Sequence, residues 1–129
     1  MERHGLTPLA KVVSYGVAGV EPTIMGIGPV PAIKMALERA GLGLEDMDRI
    51  EINEAFAGQV LACVKELNID MEKFNLNGGA IAIGHPTGAS GSRIMSNLTH
   101  ELQRTGEQYA IGSACIGGGQ GIAIVIERC

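Results

Sequence analysis

Tryptophan is absent from the 129 residues, and two Phe and two Tyr bring the aromatic content to only 3%. Stacking platforms for nucleic-acid bases and aromatic belts at a membrane surface are therefore poorly supplied. Basic residues are outnumbered, 10 Lys and Arg against 14 Asp and Glu, and the net charge of −4 gives no general attraction for nucleic acid. No apolar run approaches the roughly 20 residues that cross a bilayer. The polar start Met1-Glu2-Arg3-His4-Gly5 lacks the apolar core of a signal peptide. Cys63, Cys115 and Cys129 form neither a CxxC pair nor an even framework, so a reducing compartment and a soluble cytoplasmic protein are expected. His4, His85 and His100 share no metal-binding spacing, and no metal site is expected.

What is present is a core-forming composition, 46% hydrophobic and 19% charged, at the usual size of one domain, residues 1–129. Glycine is abundant, 19 residues, roughly double the usual share of about 7%. These glycines lack a collagen period and cluster beside apolar runs, which suggests backbone packed closely on backbone or ligand.

Hydrophobic patterning predicts alternating elements. Lys11 to Val20 reads as a buried strand, and Met25 to Pro29 as a loop. Pro31 opens a helix that Gly41 ends. Asp48 to Asn53 alternates as a short strand, and Phe56, Val60, Cys63, Val64 and Leu67 form a helical stripe from about Glu54. A turn over Asn75 to Gly79 precedes a longer helix from Thr87 or Gly88 to about Arg104. Two strands, Gln108 to Ala114 and Gly121 to Glu127, complete the chain. The last is apolar on both faces and so reads as a central strand. Such alternation predicts an α/β fold, a layered, mostly mixed sheet with helices on both faces.

Familiar nucleotide signatures fail. Gly26-Ile27-Gly28-Pro29 departs from the dinucleotide fingerprint, and Gly118-Gly119 stand where a P-loop requires Lys and Ser or Thr. Three other segments carry candidate chemistry, two of them rich in glycine. Asn53-Glu54-Ala55-Phe56 lies where a strand becomes a helix, the end at which α/β sheets gather functional groups. Asn53 suits either a ligand contact or a helix cap, and Phe56 either a pocket wall or the core. Pro86 holds His85 extended in a turn ahead of a helix start, where its imidazole suits an oxyanion donor or a structural partner of the backbone. Cys115 at a strand end is followed by Gly117, Gly118, Gly119 and Gly121, and can serve as nucleophile, proton-transfer group or inert core thiol.

Taken together, Asn53-Glu54-Ala55-Phe56, the run Asn77 to Gly91 (NGGAIAIGHPTGASG) and Cys115 to Gly121 (CIGGGQG) resemble the C-terminal domain of a thiolase, with supporting matches at Val13 to Pro22 and Met25 to Ala32. The resemblance implies one of two similar core halves, acting on coenzyme A thioesters without a further cofactor. It implies reversible acyl-CoA condensation and 3-ketoacyl-CoA cleavage. Cys115 would be the acid/base, His85 and a water held by Asn53 the enolate oxyanion site, and the Gly117 N–H part of a second oxyanion site. Phe56 and Met25 would wall the acyl pocket. The family's nucleophilic Cys belongs to an N-terminal half with no counterpart here, since neither Cys63 nor Cys129 matches its context. That half is the expected partner, and the chain alone is expected to be inactive. Its vacant face would expose apolar surface suited to self-association. A non-catalytic acyl-CoA or partner-binding module, and a hydrolytic Cys115–His85 pair, are the alternatives.

Overall fold

Apolar residues at every second position near the C-terminus build the centre of the sheet. In the computed structural model, which describes residues 2–129, strand β4 (Gln120–Arg128) lies between β1 (Ala10–Gly19) and β3 (Tyr109–Ile116), with β2 (Arg49–Ile52) beyond β3. The order is β1-β4-β3-β2. β2 and β3 are parallel, while β4 runs antiparallel to both of its neighbours. A single bridge from Phe74 to Ile50 extends the sheet past β2.

The two faces are covered by different helices. Helices α1 (Pro29–Ala40) and α2 (Ala57–Leu67) cover one face, where Ile33, Ile52, Cys63, Ile111 and Val125 are fully buried. Helix α4 (Ser90–Thr105) covers the other, laying Ile94, Leu98 and Leu102 on Ala110 and Ile126. Each such aliphatic side chain contributes about 1.5–3 kcal/mol relative to exposure. Close backbone packing accounts for part of the glycine content. A Cβ at Gly121 would overlap the Gly28 carbonyl, so the start of β4 and the approach to α1 meet main chain to main chain.

β1 differs from its expectation. It is an edge strand rather than a buried one. Ser14 faces α1, donating its hydroxyl to the Ala36 carbonyl at 2.6 Å, while Val12, Tyr15 and Val17 share the α4 face and are 64%, 59% and 47% exposed. The reason is tertiary. α4 packs over β2, β3 and the end of β4 and leaves this side of the sheet uncovered. Beside it runs an apolar groove of about 320 Å³, lined by Met95, Ala114, Ile122 and Ile124 among others.

Helix boundaries shift for local reasons. α2 begins at Ala57 rather than Glu54 because residues 53–56 leave β2 through a bend and Phe56, at the helix start, is extended. The turn before α4 holds an unforeseen short helix, α3 (Ala80–Ile83), and 3-10 turns occupy Glu2–His4, Pro22–Ile27 and Met71–Lys73.

Candidate active site

Parallel pairing of β2 with β3 puts the carboxyl ends of both strands at one edge of the sheet. Ile52 pairs with Ser113, and the Asn53 N–H donates to the Ser113 carbonyl at 2.8 Å, two residues before Cys115. Asn53 is fully buried and caps no helix. Its Nδ2 lies 3.4 Å from His85 Nε2, while its Oδ1 is buried without a partner. Two of the three predicted polar groups therefore meet directly, although 32 residues separate them in the chain. His85 itself is exposed, and its Nδ1 lies 2.6 Å from the Ser90 hydroxyl.

Cys115 stands on the neighbouring strand, half-buried, opposite Gly121. No hydrogen bond among the described residues joins it to Asn53 or His85. Burial pushes its thiol up from the ordinary value, and a backbone hydrogen bond at Cys115 offsets part of that rise. A neutral thiol is the form favoured there. Gly117 lies in the exposed turn between β3 and β4, and a Cβ on it would meet open space. Phe56 precedes α2 and is 65% exposed, which removes the core alternative for this residue. Met25 lies in the Pro22–Ile27 turn, which packs against α2, so both proposed wall residues belong to segments flanking that helix.

Two residues to which the sequence reading gave no role hold these loops in place. The Glu54 carboxylate accepts from Asn75 Nδ2 at 3.0 Å and from the Ile81 N–H at 2.9 Å. Asn75 adopts a positive φ of 45° and imitates a strand, accepting from the Ile52 N–H and donating to the Ile52 carbonyl, each at 3.1 Å. The segment carrying His85 is thereby tied to the end of β2. Gly79 fits because a Cβ there would collide with the Glu54 carboxylate. Glu54 lies inside a motif already singled out, so its acidity was the available signal. Asn75 offered only its place in a turn.

A second polar cluster lies on the α4 face. The buried Glu51 carboxylate is paired with Arg93 and accepts from Asn97 Nδ2 at 2.7 Å. Burial raises its pKa, while the Asn97 hydrogen bond and Arg93 oppose that rise. Among the described residues no cluster of three or more His, Cys, Asp or Glu is arranged to hold a metal ion.

Fold and site together define an α/β domain whose polar groups gather at the carboxyl ends of parallel strands. The sequence matches the family described as thiolase, C-terminal domain, over residues 6–128, and the chain belongs to that family. It is 63% identical over 128 residues to mitochondrial 3-ketoacyl-CoA thiolase of Bos taurus, covering 99% of this chain and 32% of that protein. It is 59% identical over 124 residues to acetyl-CoA acetyltransferase of Escherichia coli (strain K12), covering 96% and 32%. The fold matches a crystal structure of human mitochondrial 3-ketoacyl-CoA thiolase in complex with CoA. The TM-score is 0.97 at 61% identity, over 99% of this chain and 32% of that one. The chain thus spans about a third of the length of the relatives it matches.

The expected cytoplasmic location does not hold. The mammalian relatives at 61–63% identity are mitochondrial proteins and point to that compartment instead. Unpaired cysteines require only a reducing interior, which the cytoplasm shares with other compartments, so they could not make the distinction.

Proposed function

We propose that this chain supplies the C-terminal part of a thiolase active site, for the reversible condensation of acyl-CoA and the cleavage of 3-ketoacyl-CoA. The observation that carries the reading is the meeting of Asn53 with His85 at the strand edge where Cys115 also ends. An enolate oxygen needs fixed donors more than full proton transfer, and one such donor is typically worth about 3 kcal/mol of barrier. His85 offers a ring N–H from an exposed position. Asn53, whose Oδ1 is buried and unpartnered, holds a water as the second donor. Cys115, whose thiol form burial favours, gives and takes the substrate α-proton, acting as acid in the thiol form and as base in the thiolate form. The Gly117 N–H helps bind the oxyanion of a tetrahedral intermediate, and Phe56 and Met25 wall the acyl group.

The nucleophile that accepts the acyl group comes from the remaining two-thirds of the enzyme, so the 129 residues alone do not turn over. The uncovered apolar face of β1 and β4 suits that complementary portion, and self-association is the competing use of the same surface.

The test mixes this chain with the complementary portion of a related thiolase and measures acetoacetyl-CoA cleavage. Activity is expected on mixing, and it should fall at least a hundredfold for His85→Ala, Asn53→Ala and Cys115→Ala. Wild-type exchange of acetyl-CoA methyl protons by the Cys115→Ala complex would overturn the role of Cys115. Tight acetyl-CoA binding by the chain alone, with no turnover on mixing, would replace the enzyme reading by a binding module.

A further inference from the structure

His85 can place its ring proton on either nitrogen, and only one choice lets Nε2 donate to a substrate oxygen. The decision falls to the group facing Nδ1, which is the Ser90 hydroxyl at 2.6 Å. That hydroxyl has two possible acceptors, His85 Nδ1 and, at 3.1 Å, the Pro86 carbonyl. The Pro86 carbonyl already accepts from the backbone N–H groups of Ala89 at 2.8 Å and Ser90 at 2.9 Å. A carbonyl oxygen has two lone pairs, and both are occupied. The imidazole nitrogen is nearer and has no other donor. Ser90 is buried as the first residue of α4, and its backbone N–H bond holds the hydroxyl beside the ring. On the far side of the ring, Asn53 Nδ2 lies 3.4 Å from Nε2, a longer and weaker competitor for the ring's lone pair than the Ser90 hydroxyl at 2.6 Å.

We infer that Ser90 is a positioning residue that selects the Nε2–H tautomer of His85 by donating its hydroxyl proton to Nδ1. Its consequence for catalysis rests on the oxyanion role proposed above, but the tautomer itself does not. No covalent step is involved; the hydroxyl keeps its proton and lends a hydrogen bond. The arrangement also gives the small-residue run before α4 a purpose beyond packing, because Ser90 lies one turn from Pro86 with its hydroxyl at the Nδ1 edge of the ring.

Long-range proton–nitrogen correlation spectra of the nitrogen-15-labelled 129-residue chain, in mildly alkaline buffer, report which ring nitrogen carries the proton. The His85 signal is assigned by its loss in His85→Ala. The wild-type chain is expected to show mainly Nε2–H, Ser90→Ala a mixture shifted toward Nδ1–H, and Ser90→Thr, which keeps the hydroxyl, the wild-type pattern. A wild-type ring protonated on Nδ1, or a tautomer ratio unchanged in Ser90→Ala with a native amide spectrum, would overturn the inference. If Ser90→Ala does not fold, a Ser90 hydroxyl proton coupled to His85 Nδ1 in the wild-type chain decides for it, and a ring proton on Nδ1 decides against it. In the mixed complex, Ser90→Ala should lower kcat about tenfold with KM little changed. Unchanged turnover in His85→Ala would sink the functional reading while leaving the tautomer result standing.

Discussion

Removing the Glu54 carboxylate should loosen the segment that carries His85 from the sheet. Two hydrogen bonds end on it, from Asn75 Nδ2 at 3.0 Å and from the Ile81 N–H at 2.9 Å. A hydrogen bond to a charged group contributes about 1.5–3 kcal/mol, so complete loss without compensation would cost roughly 3–6 kcal/mol. Glu54 is only half-buried, and water re-solvates the abandoned donors in part, which brings the expected loss for Glu54→Ala to about 2–3 kcal/mol. Glu54→Gln is the sharper probe. Both neighbours are donors, and Gln offers one acceptor oxygen and one donating nitrogen, so only one of the two bonds survives and about half the loss is expected. Gly79→Ala should resemble Glu54→Ala, because its new methyl occupies the space of the carboxylate. Urea unfolding of the chain measures each loss as a shift in midpoint at constant slope. A double-mutant cycle with Asn75→Ala should give a coupling of at least 0.5 kcal/mol between residues 54 and 75. A Glu54→Ala chain within about 0.5 kcal/mol of wild type, or no coupling to Asn75, would show that the clamp does not hold the loop.

Three further outcomes test the remaining polar groups. Burial raises the thiol pKa of Cys63 and Cys115, so the unfolded chain loses these protons first as pH rises. The stability they contribute is complete below the unfolded thiol pKa of about 8.5 and is lost as pH climbs toward the folded values. Urea midpoints should decline above that pH, and Cys115→Ala should flatten the decline. At neutral pH iodoacetamide should modify exposed Cys129 before Cys115, and faster labelling of Cys115 would mark it as an activated nucleophile instead. On the α4 face, Glu51→Ala strands the Arg93 guanidinium in a largely buried position and should cost about 3–5 kcal/mol. The pair Glu51→Leu with Arg93→Met should recover most of that loss, as read by thermal unfolding; no recovery would mean that the ion pair is not the reason for the loss.

Local chemistry determined much of the architecture. The apolar run Gly121 to Glu127 reads as a central strand, and β4 does lie inside the sheet, although α4 covers only its end on one face. The period-3.6 stripe of Ile94, Leu98 and Leu102 could be buried only as a helix against a sheet, and α4 does so. Edge position was not legible in β1. Its β-branched residues suit any strand, and whether Val12 and Val17 are covered depends on how far α4 reaches across the sheet. The site divides in the same way. Asn53 was visible at a strand end, and His85 and Cys115 beside glycine-rich turns, because that chemistry is a property of the residue and its neighbours in the chain. Glu54, Asn75 and Ser90 became meaningful only when folding brought the Ile81 N–H, the edge of β2 and the His85 ring within hydrogen-bonding reach. A hydrogen bond acts over about 3 Å and ignores sequence distance. Sequence therefore offered the candidate groups, and tertiary packing chose the groups that hold them in position.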